Sequence, residues 1–506
     1  MELDKDLQSV QEMRNAVEKA AKAQEVLASF SQKQLDNIIK TVADEAFRNA
    51  EYLADLAVQE TGMGVREHKV IKNQVGSRDV YESVKDEKTV GIIKEDTKNK
   101  ILEYAYPYGV IAAIIPTTNP TSTAIFKTII ALKSGNAIVV SPHPSAVKCT
   151  VEALKICQRA AESAGAPEGI IGWISQPSMQ ATTELMQHRK IDLILATGGG
   201  GLVRAAYSSG KPAYGVGPGN VPVYLEKTCR IKQSVKMVAD SKTFDNGTIC
   251  ATEQALVVDR NIHKVVIQEF KKHGAYFLNE KEKSKLEDVI SPVRGKLNPA
   301  IVGQSAVKIA EMANVNVPAN TRLLIAFEEQ AGKTVPFSIE KLSPVFPFYI
   351  ADSEEEAKKR CIELLNLGGR GHTMSLHTMD DEVVKSFGHA MPVSRLMVNT
   401  LSSIGAVGGT TGLKPSMTLG CGSYGGNITS DNITATHLIN IKRVAYGLKE
   451  VNIPKPQKPG SSVPEASTYD PRIEEVVEKV IQSINTKEAS KDDISEIVEK
   501  VLLQYQ

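Results

Sequence analysis

The sequence predicts an α/β protein built on parallel sheet, and three observations predict it. From about residue 100, short apolar runs alternate with stretches of helical periodicity. Four consecutive glycines at 198–201 follow one such run, where a strand would end and a helix begin. A second alternating region extends from roughly residue 227 to 430. Strands joined by helical crossovers pair in parallel, are covered on both faces, and bind ligands beyond their C-terminal ends.

The elements follow in order. Val10, Met13, Val17 and Ala20 recur at helical spacing, as do Leu35, Ile38, Ile39 and Val42. Gly62, Met63 and Gly64 break that helical start. A strand is expected at 110–115, a helix at 123–132, a strand at 137–140, a helix at 147–164, a strand at 191–195 and a helix after Gly201. Residues 454–471 are rich in proline and serine and read as an extended linker. Beyond it, Ile473, Val476, Val477, Val480, Ile481 and Ile484 form a narrow apolar helical stripe, and Ile494, Ile497, Val498, Val501, Leu502 and Tyr505 repeat it. Helices this short need a partner for their stripes. That partner is the body of the protein, the other helix in a helical hairpin, or another chain, and the stripes lack the basic face a membrane surface would require.

Composition excludes several classes. Sixty basic residues against fifty-nine acidic ones leave a net charge of +1, so no nucleic-acid partner is expected. The six cysteines form no C-x-x-C pair, which suits reduced thiols and not a zinc site or a disulfide framework. The acidic start Met1-Glu2-Leu3-Asp4 lacks a signal pattern, and no apolar run is long enough for a bilayer. A cytoplasmic protein without membrane or metal is the expectation.

The stretch 241–254 reads S-K-T-F-D-N-G-T-I-C-A-T-E-Q. Cys250 follows a loop of Phe244, Asp245, Asn246 and Gly247, where the glycine permits a tight turn, and precedes the β-rich run Ala255, Leu256, Val257 and Val258. A cysteine so placed is either an exposed nucleophile with a lowered pKa or a small buried hydrophobe. The glycines Gly198, Gly199, Gly200 and Gly201 let backbone approach a phosphate at a helix N-terminus, without matching G-x-G-x-x-G strictly.

Taken together, four motifs in register resemble the aldehyde dehydrogenase superfamily in its coenzyme A-acylating version, over about residues 10–450. They are the cysteine loop; I-I-P-T-T-N-P at 114–120; L-A-T-G-G-G-G at 195–201; and E-K-L-S-P-V at 340–345. The run P-S-M-T-L-G-C-G-S at 415–423 is similar to the aldehyde dehydrogenase half of bifunctional aldehyde–alcohol dehydrogenases. The resemblance implies a Rossmann-type NAD-binding domain at 1–226 with part of an oligomerisation element. It further implies an α/β catalytic domain at 227–430 and a return to the cofactor and oligomerisation elements at 431–453, before the linker at 454–471 and the amphipathic helical tail at 472–506. It makes Cys250 the nucleophile, Asn119 an oxyanion donor and His372 a proton-handling candidate. Thr117, Thr118, Ser141, Pro142, His143, Gly198, Gly199, Gly217 and Glu340 become contacts to NAD, with NADP left open because Ser141 replaces the usual lysine. His143 and His437 are weaker histidine candidates, and Cys421 becomes a pocket residue.

The informative departure is Y-G-V-G-P-G-N-V-P at 214–222, which carries no carboxylate where hydrolytic members place their general base near Val216. Losing such help costs water attack about 10²–10⁴-fold. The expectation is therefore oxidation of a short aldehyde, propionaldehyde or acetaldehyde, through a Cys250 thioester that passes its acyl group to coenzyme A. Alternatives are an acidic aldehyde (succinate semialdehyde or sulfoacetaldehyde), a hydrolytic dehydrogenase, or an inactive interaction scaffold. The resemblance also implies a homo-dimer or tetramer. The tail resembles encapsulation peptides that attach cargo enzymes to bacterial microcompartment shells, so a shell protein is an expected partner and a microcompartment lumen a possible location.

Overall fold

The structure, a computed structural model, describes residues 4–454 and, beyond them, Glu478, Gln482, Glu496, Lys500 and Leu503. The chain divides into residues 1–446 and 447–506. In the first unit, helical periodicity at the start is realised as α1 (Lys5–Leu27) and α2 (Gln32–Arg48), which bury Val10, Met13, Val17 and Ala20, and Leu35, Ile38, Ile39 and Val42. Ser31 and Gln34 close a capping box at the start of α2. Next come α3 (Ala50–Thr61), ended by Gly62 in the left-handed region at φ 64°, and α4 (Arg66–Gln74), which runs through a π-helical turn into α5 (Val80–Val84).

After the paired strands β1 (Gly91–Asp96) and β2 (Ile101–Pro107), the βαβ rhythm appears where the apolar runs place it. The chain passes through β3 (Val110–Ile114), α6 (Pro120–Lys133), β4 (Ala137–Ser141), α7 (Val147–Ser163), β5 (Ile171–Trp173), α8 (Met179–Gln187), β6 (Leu193–Thr197), α9 (Gly200–Tyr207) and β7 (Ala213–Val216). These five strands from β3 onward form a parallel sheet in the order β5-β4-β3-β6-β7. All five residues of central β3 are buried, which is why it reads as a continuous apolar run. One core joins this sheet to α1, α2 and α6.

A second parallel sheet is built from β8 (Val221–Leu225), β9 (Glu253–Asp259), β10 (Ala275–Phe277), β11 (Leu323–Phe327), β12 (Val345–Ala351), β13 (Gly371–His377) and β14 (Val393–Val398). Its order is β10-β11-β12-β9-β8-β13-β14. Neighbouring residues alternate between its two faces: Val223, Leu225, Leu256 and Val258 pack in one core, Tyr224 and Val257 in the other. Finally β15 (Ile439–Ala445) returns to pair antiparallel with β2, across 332 positions between Pro107 and Ile439, completing a three-stranded sheet β1-β2-β15.

In the second unit, residues 447–454 have no regular structure and expose Leu448, Val451 and Ile453. Glu478, Gln482, Glu496, Lys500 and Leu503 are helical, and Lys500 donates to Glu496 at 2.7 Å. The rest of the linker and helices expected there lie outside the described residues. No described helix is long and apolar enough to cross a membrane, and the described residues hold no cluster of three or more potential metal ligands.

Candidate active site

A cleft of about 630 Å³ opens at the C-terminal ends of β3, β4, β6 and β7. One wall carries Thr117, Thr118 and Asn119 after β3, Ser141, Pro142 and His143 at and after β4, and Gly198 and Gly199 after β6; Val216, Gly217 and Pro218 close β7. The other wall carries Thr248, Cys250, Glu340 and Leu342. The expected site residues therefore converge on one cleft, His372 excepted.

The cofactor-side wall fits a dinucleotide. Thr117 Oγ1 and Thr197 Oγ1 are buried without a partner, two hydroxyls left for a polar ligand. Gly199 is the N-cap of α9, and a Cβ built on it meets nothing within 4 Å, so the cradle is open to a bulky group. The first-turn N–H groups of α9 lie beside it, an arrangement that favours a pyrophosphate. Ser141 shares a hydrogen bond with Thr182 of α8 at 2.8 Å, and His143 accepts from the Ser145 N–H at 3.1 Å. No lysine or arginine lines the cleft among the described residues.

The nucleophile loop is held from below. Asp245 and Asn246 adopt left-handed backbone at φ 49° and 52°, and Gly247 follows at 77°. Such a run is unfavourable for the two non-glycine residues, and Asp245 holds it through buried contacts. Its carboxylate accepts from the Val65 N–H at 2.7 Å, from Lys69 at 3.1 Å, from Lys72 and from Thr248 Oγ1 at 2.7 Å. Its own N–H donates to His68 Nδ1 at 2.8 Å. Lys72 also donates to Asn119 Oδ1 at 2.5 Å, and Asn119 Nδ2 donates to Thr118 Oγ1 at 3.1 Å.

Cys250 stands at the turn before β9, partly open to the cleft, with Val216, Ile249, Met397, Leu419 and Val407 in the apolar cluster around it. Burial, then the Glu340 carboxyl, push its thiol up to about 12, whereas Arg395 acts the other way. The lowered pKa expected of a nucleophile is not what these surroundings give. Val216 is only 2% exposed and belongs to that same cluster. Glu340, raised to about 7 by burial, accepts from the Gly219 N–H at 2.9 Å. Gly219 admits no side chain, because a Cβ there would lie 2.2 Å from the Cys250 carbonyl oxygen and 3.1 Å from His372 Cγ.

His372 thus packs behind the loop and outside the cleft wall. Its Nδ1 meets Thr373 Oγ1 at 2.9 Å, its Nε2 is buried without a partner, and burial with nearby Arg395 holds its pKa down to about 3. It is a neutral imidazole and a weak base. His437 pairs with Asp431 at 3.2 Å, away from the cleft lining. Cys421, pushed up to about 11 by burial, lines a separate cavity of about 320 Å³ that shares Gly217 and Pro218 with the cleft. The residues that the sequence did not reveal are Lys69, Lys72 and Asp245 as a cluster. Their only local signal is the i, i+3 spacing of the two lysines on α4.

A family model described as the aldehyde dehydrogenase family matches residues 6–293. An acetylating aldehyde dehydrogenase from Geobacillus thermoglucosidasius superposes with a TM-score of 0.88 at 54% identity, covering 89% of this chain and 100% of that one. A propionaldehyde dehydrogenase from the fucose utilisation bacterial microcompartment of Clostridium phytofermentans gives 0.78 at 30% identity, covering 86% and 97%. The bifunctional aldehyde-alcohol dehydrogenase of Escherichia coli K12 is 48% identical over 442 residues, 86% of this chain and 50% of its own length. The chain spans about half the length of the curated relatives it matches first.

Proposed function

The chain belongs to the aldehyde dehydrogenase family, and on that premise we propose that it is a coenzyme A-acylating aldehyde dehydrogenase. The observation that carries this reading is Val216. It lines the cleft at the end of β7 and, being aliphatic, has no group to take a proton from a water molecule attacking an acyl group on Cys250. The Cys250 thiol gives its proton to solvent in the open cleft, and the thiolate adds to the aldehyde carbonyl, giving a tetrahedral adduct whose oxygen is met by the Asn119 amide and the Cys250 N–H. When bound, NAD would supply the hydride acceptor, and Thr117, Thr118, Ser141, Pro142, His143, Gly198, Gly199, Gly217 and Glu340 would hold it. The thioester left on Cys250 persists until a coenzyme A thiol takes the acyl group. NAD is favoured over NADP because the cleft lining offers a 2′-phosphate no lysine or arginine.

The apolar surroundings of Cys250 suit a short aliphatic aldehyde, propionaldehyde or acetaldehyde. A second reading, an acidic aldehyde such as succinate semialdehyde or sulfoacetaldehyde, is favoured by Arg395. This arginine is buried near Cys250 and Cys421, and its Nε has no partner. Exposed Ile92, Tyr106, Ile441 and Val444 on the three-stranded sheet support a homo-oligomer, and the striped tail supports attachment to a microcompartment shell. The test is NADH formation over a panel of aldehydes with and without coenzyme A. Dependence on coenzyme A, abolished in Cys250→Ser, is expected. Equal rates without it would overturn the acylating reading and turn attention to Glu340 as a base.

A further inference from the structure

Helix α4 is turned inside out. It buries Lys69, Lys72 and Asn73 while Ile71 is 41% exposed. Both ammonium groups converge on the single carboxylate of Asp245, so one positive charge in this buried cluster has no counter-charge of its own. Burying an uncompensated ammonium is unfavourable, and desolvation lowers Lys72 to about 8.

We infer that Lys72 is the positioning residue of the oxyanion site, fixing which end of the Asn119 amide faces the cleft. The inference rests on the reading of Asn119 as oxyanion donor. An ammonium has three hydrogens to donate and nothing to accept with. Lys72 directs them at Asp245 Oδ2, Thr248 Oγ1 and Asn119 Oδ1. The carbonyl end of Asn119 is therefore bound to face α4, and its NH2 end turns the other way. One N–H goes to Thr118 Oγ1, which leaves the second for the cleft. A reversed amide would set two N–H groups against an ammonium. Two further bonds from α4 steady the same segment: Lys69 donates to the Thr118 carbonyl at 3.2 Å, and Asn73 accepts from Thr121 Oγ1 at 2.7 Å. The buried charge thus stands behind the Asn119 amide, on the side away from the cleft, where it polarises the carbonyl end whose NH2 partner faces the substrate.

A double-mutant cycle on the full chain tests this, reading NADH formation from propionaldehyde with coenzyme A and NAD. Asn119→Ala alone should lower kcat about 10²–10³-fold. Lys72→Met should lower kcat roughly 10- to 100-fold and move the aldehyde and NAD KM values less than about threefold, a loss confined to the transition state. In the Asn119→Ala background, Lys72→Met should cost less than about twofold more, because nothing remains to aim. Lys72→Gln, which keeps an N–H for Asn119 Oδ1, should recover part of the loss, and it carries the same cycle if the methionine variant does not fold. Losses that multiply in the double variant, or an unchanged kcat in Lys72→Met, would overturn the inference while leaving Asn119 in its role. Full turnover in Asn119→Ala would instead bring down the oxyanion reading and this inference with it.

Discussion

Cys250 enters the reaction as a thiol that its surroundings hold protonated. Burial raises it first, then Glu340, and Arg395 only partly opposes them. Below its pKa, the thiolate fraction grows tenfold with each pH unit. Alkylation of Cys250 by iodoacetamide in the free protein should therefore accelerate about tenfold per unit between pH 7 and 10, without levelling off. A plateau near pH 8 would show a thiol ionised far more easily than these neighbours allow. The placement of Cys250 at a turn before a strand was legible in the sequence, because a polar loop, a glycine and a following apolar run surround it. Its protonation state was not, since Glu340 and Arg395 are remote in the chain and act only across space. His372 teaches the same lesson. The resemblance made it a proton-handling candidate, and the fold buries it behind Gly219 as a neutral ring.

At the scale of elements, the turn from β7 to β8 and the turn before β9 touch backbone to backbone at Gly219 and Cys250. Gly219→Ala would drive a methyl group into the Cys250 carbonyl, 2.2 Å away. Steric conflict in a packed site costs on the order of 1–3 kcal/mol, and a small displacement of the nucleophile can lower turnover about 10²-fold. Kinetics beside a thermal melt should show kcat falling by more than the change in Tm would explain. Part of the secondary structure was readable: apolar runs marked β3, β4 and β6, and the helices expected at 123–132 and 147–164 are α6 and α7 to within a few residues. Helix α4 was not, because its buried side chains are two lysines and an asparagine, and hydrophobic periodicity has nothing to register there. The pairing of β2 with β15 likewise escapes local pattern, since its register joins residues more than 300 positions apart.

For the whole molecule, the division at residue 446 separates a body that contains every candidate site residue from a C-terminal unit that contains none. Removing residues 455–506 should leave kcat and KM within about twofold, because every candidate site residue precedes that segment in the chain. The same truncation should abolish retention on isolated microcompartment shells, scored by sedimentation; undiminished retention would defeat the tethering proposal. Within the body, Asp245 joins the Val65 N–H across 180 positions of chain. A ribosome that has delivered only α4 has made two lysines with no acid to receive them. The buried cluster of two lysines and one carboxylate is complete only once residue 245 has been made, five residues before Cys250.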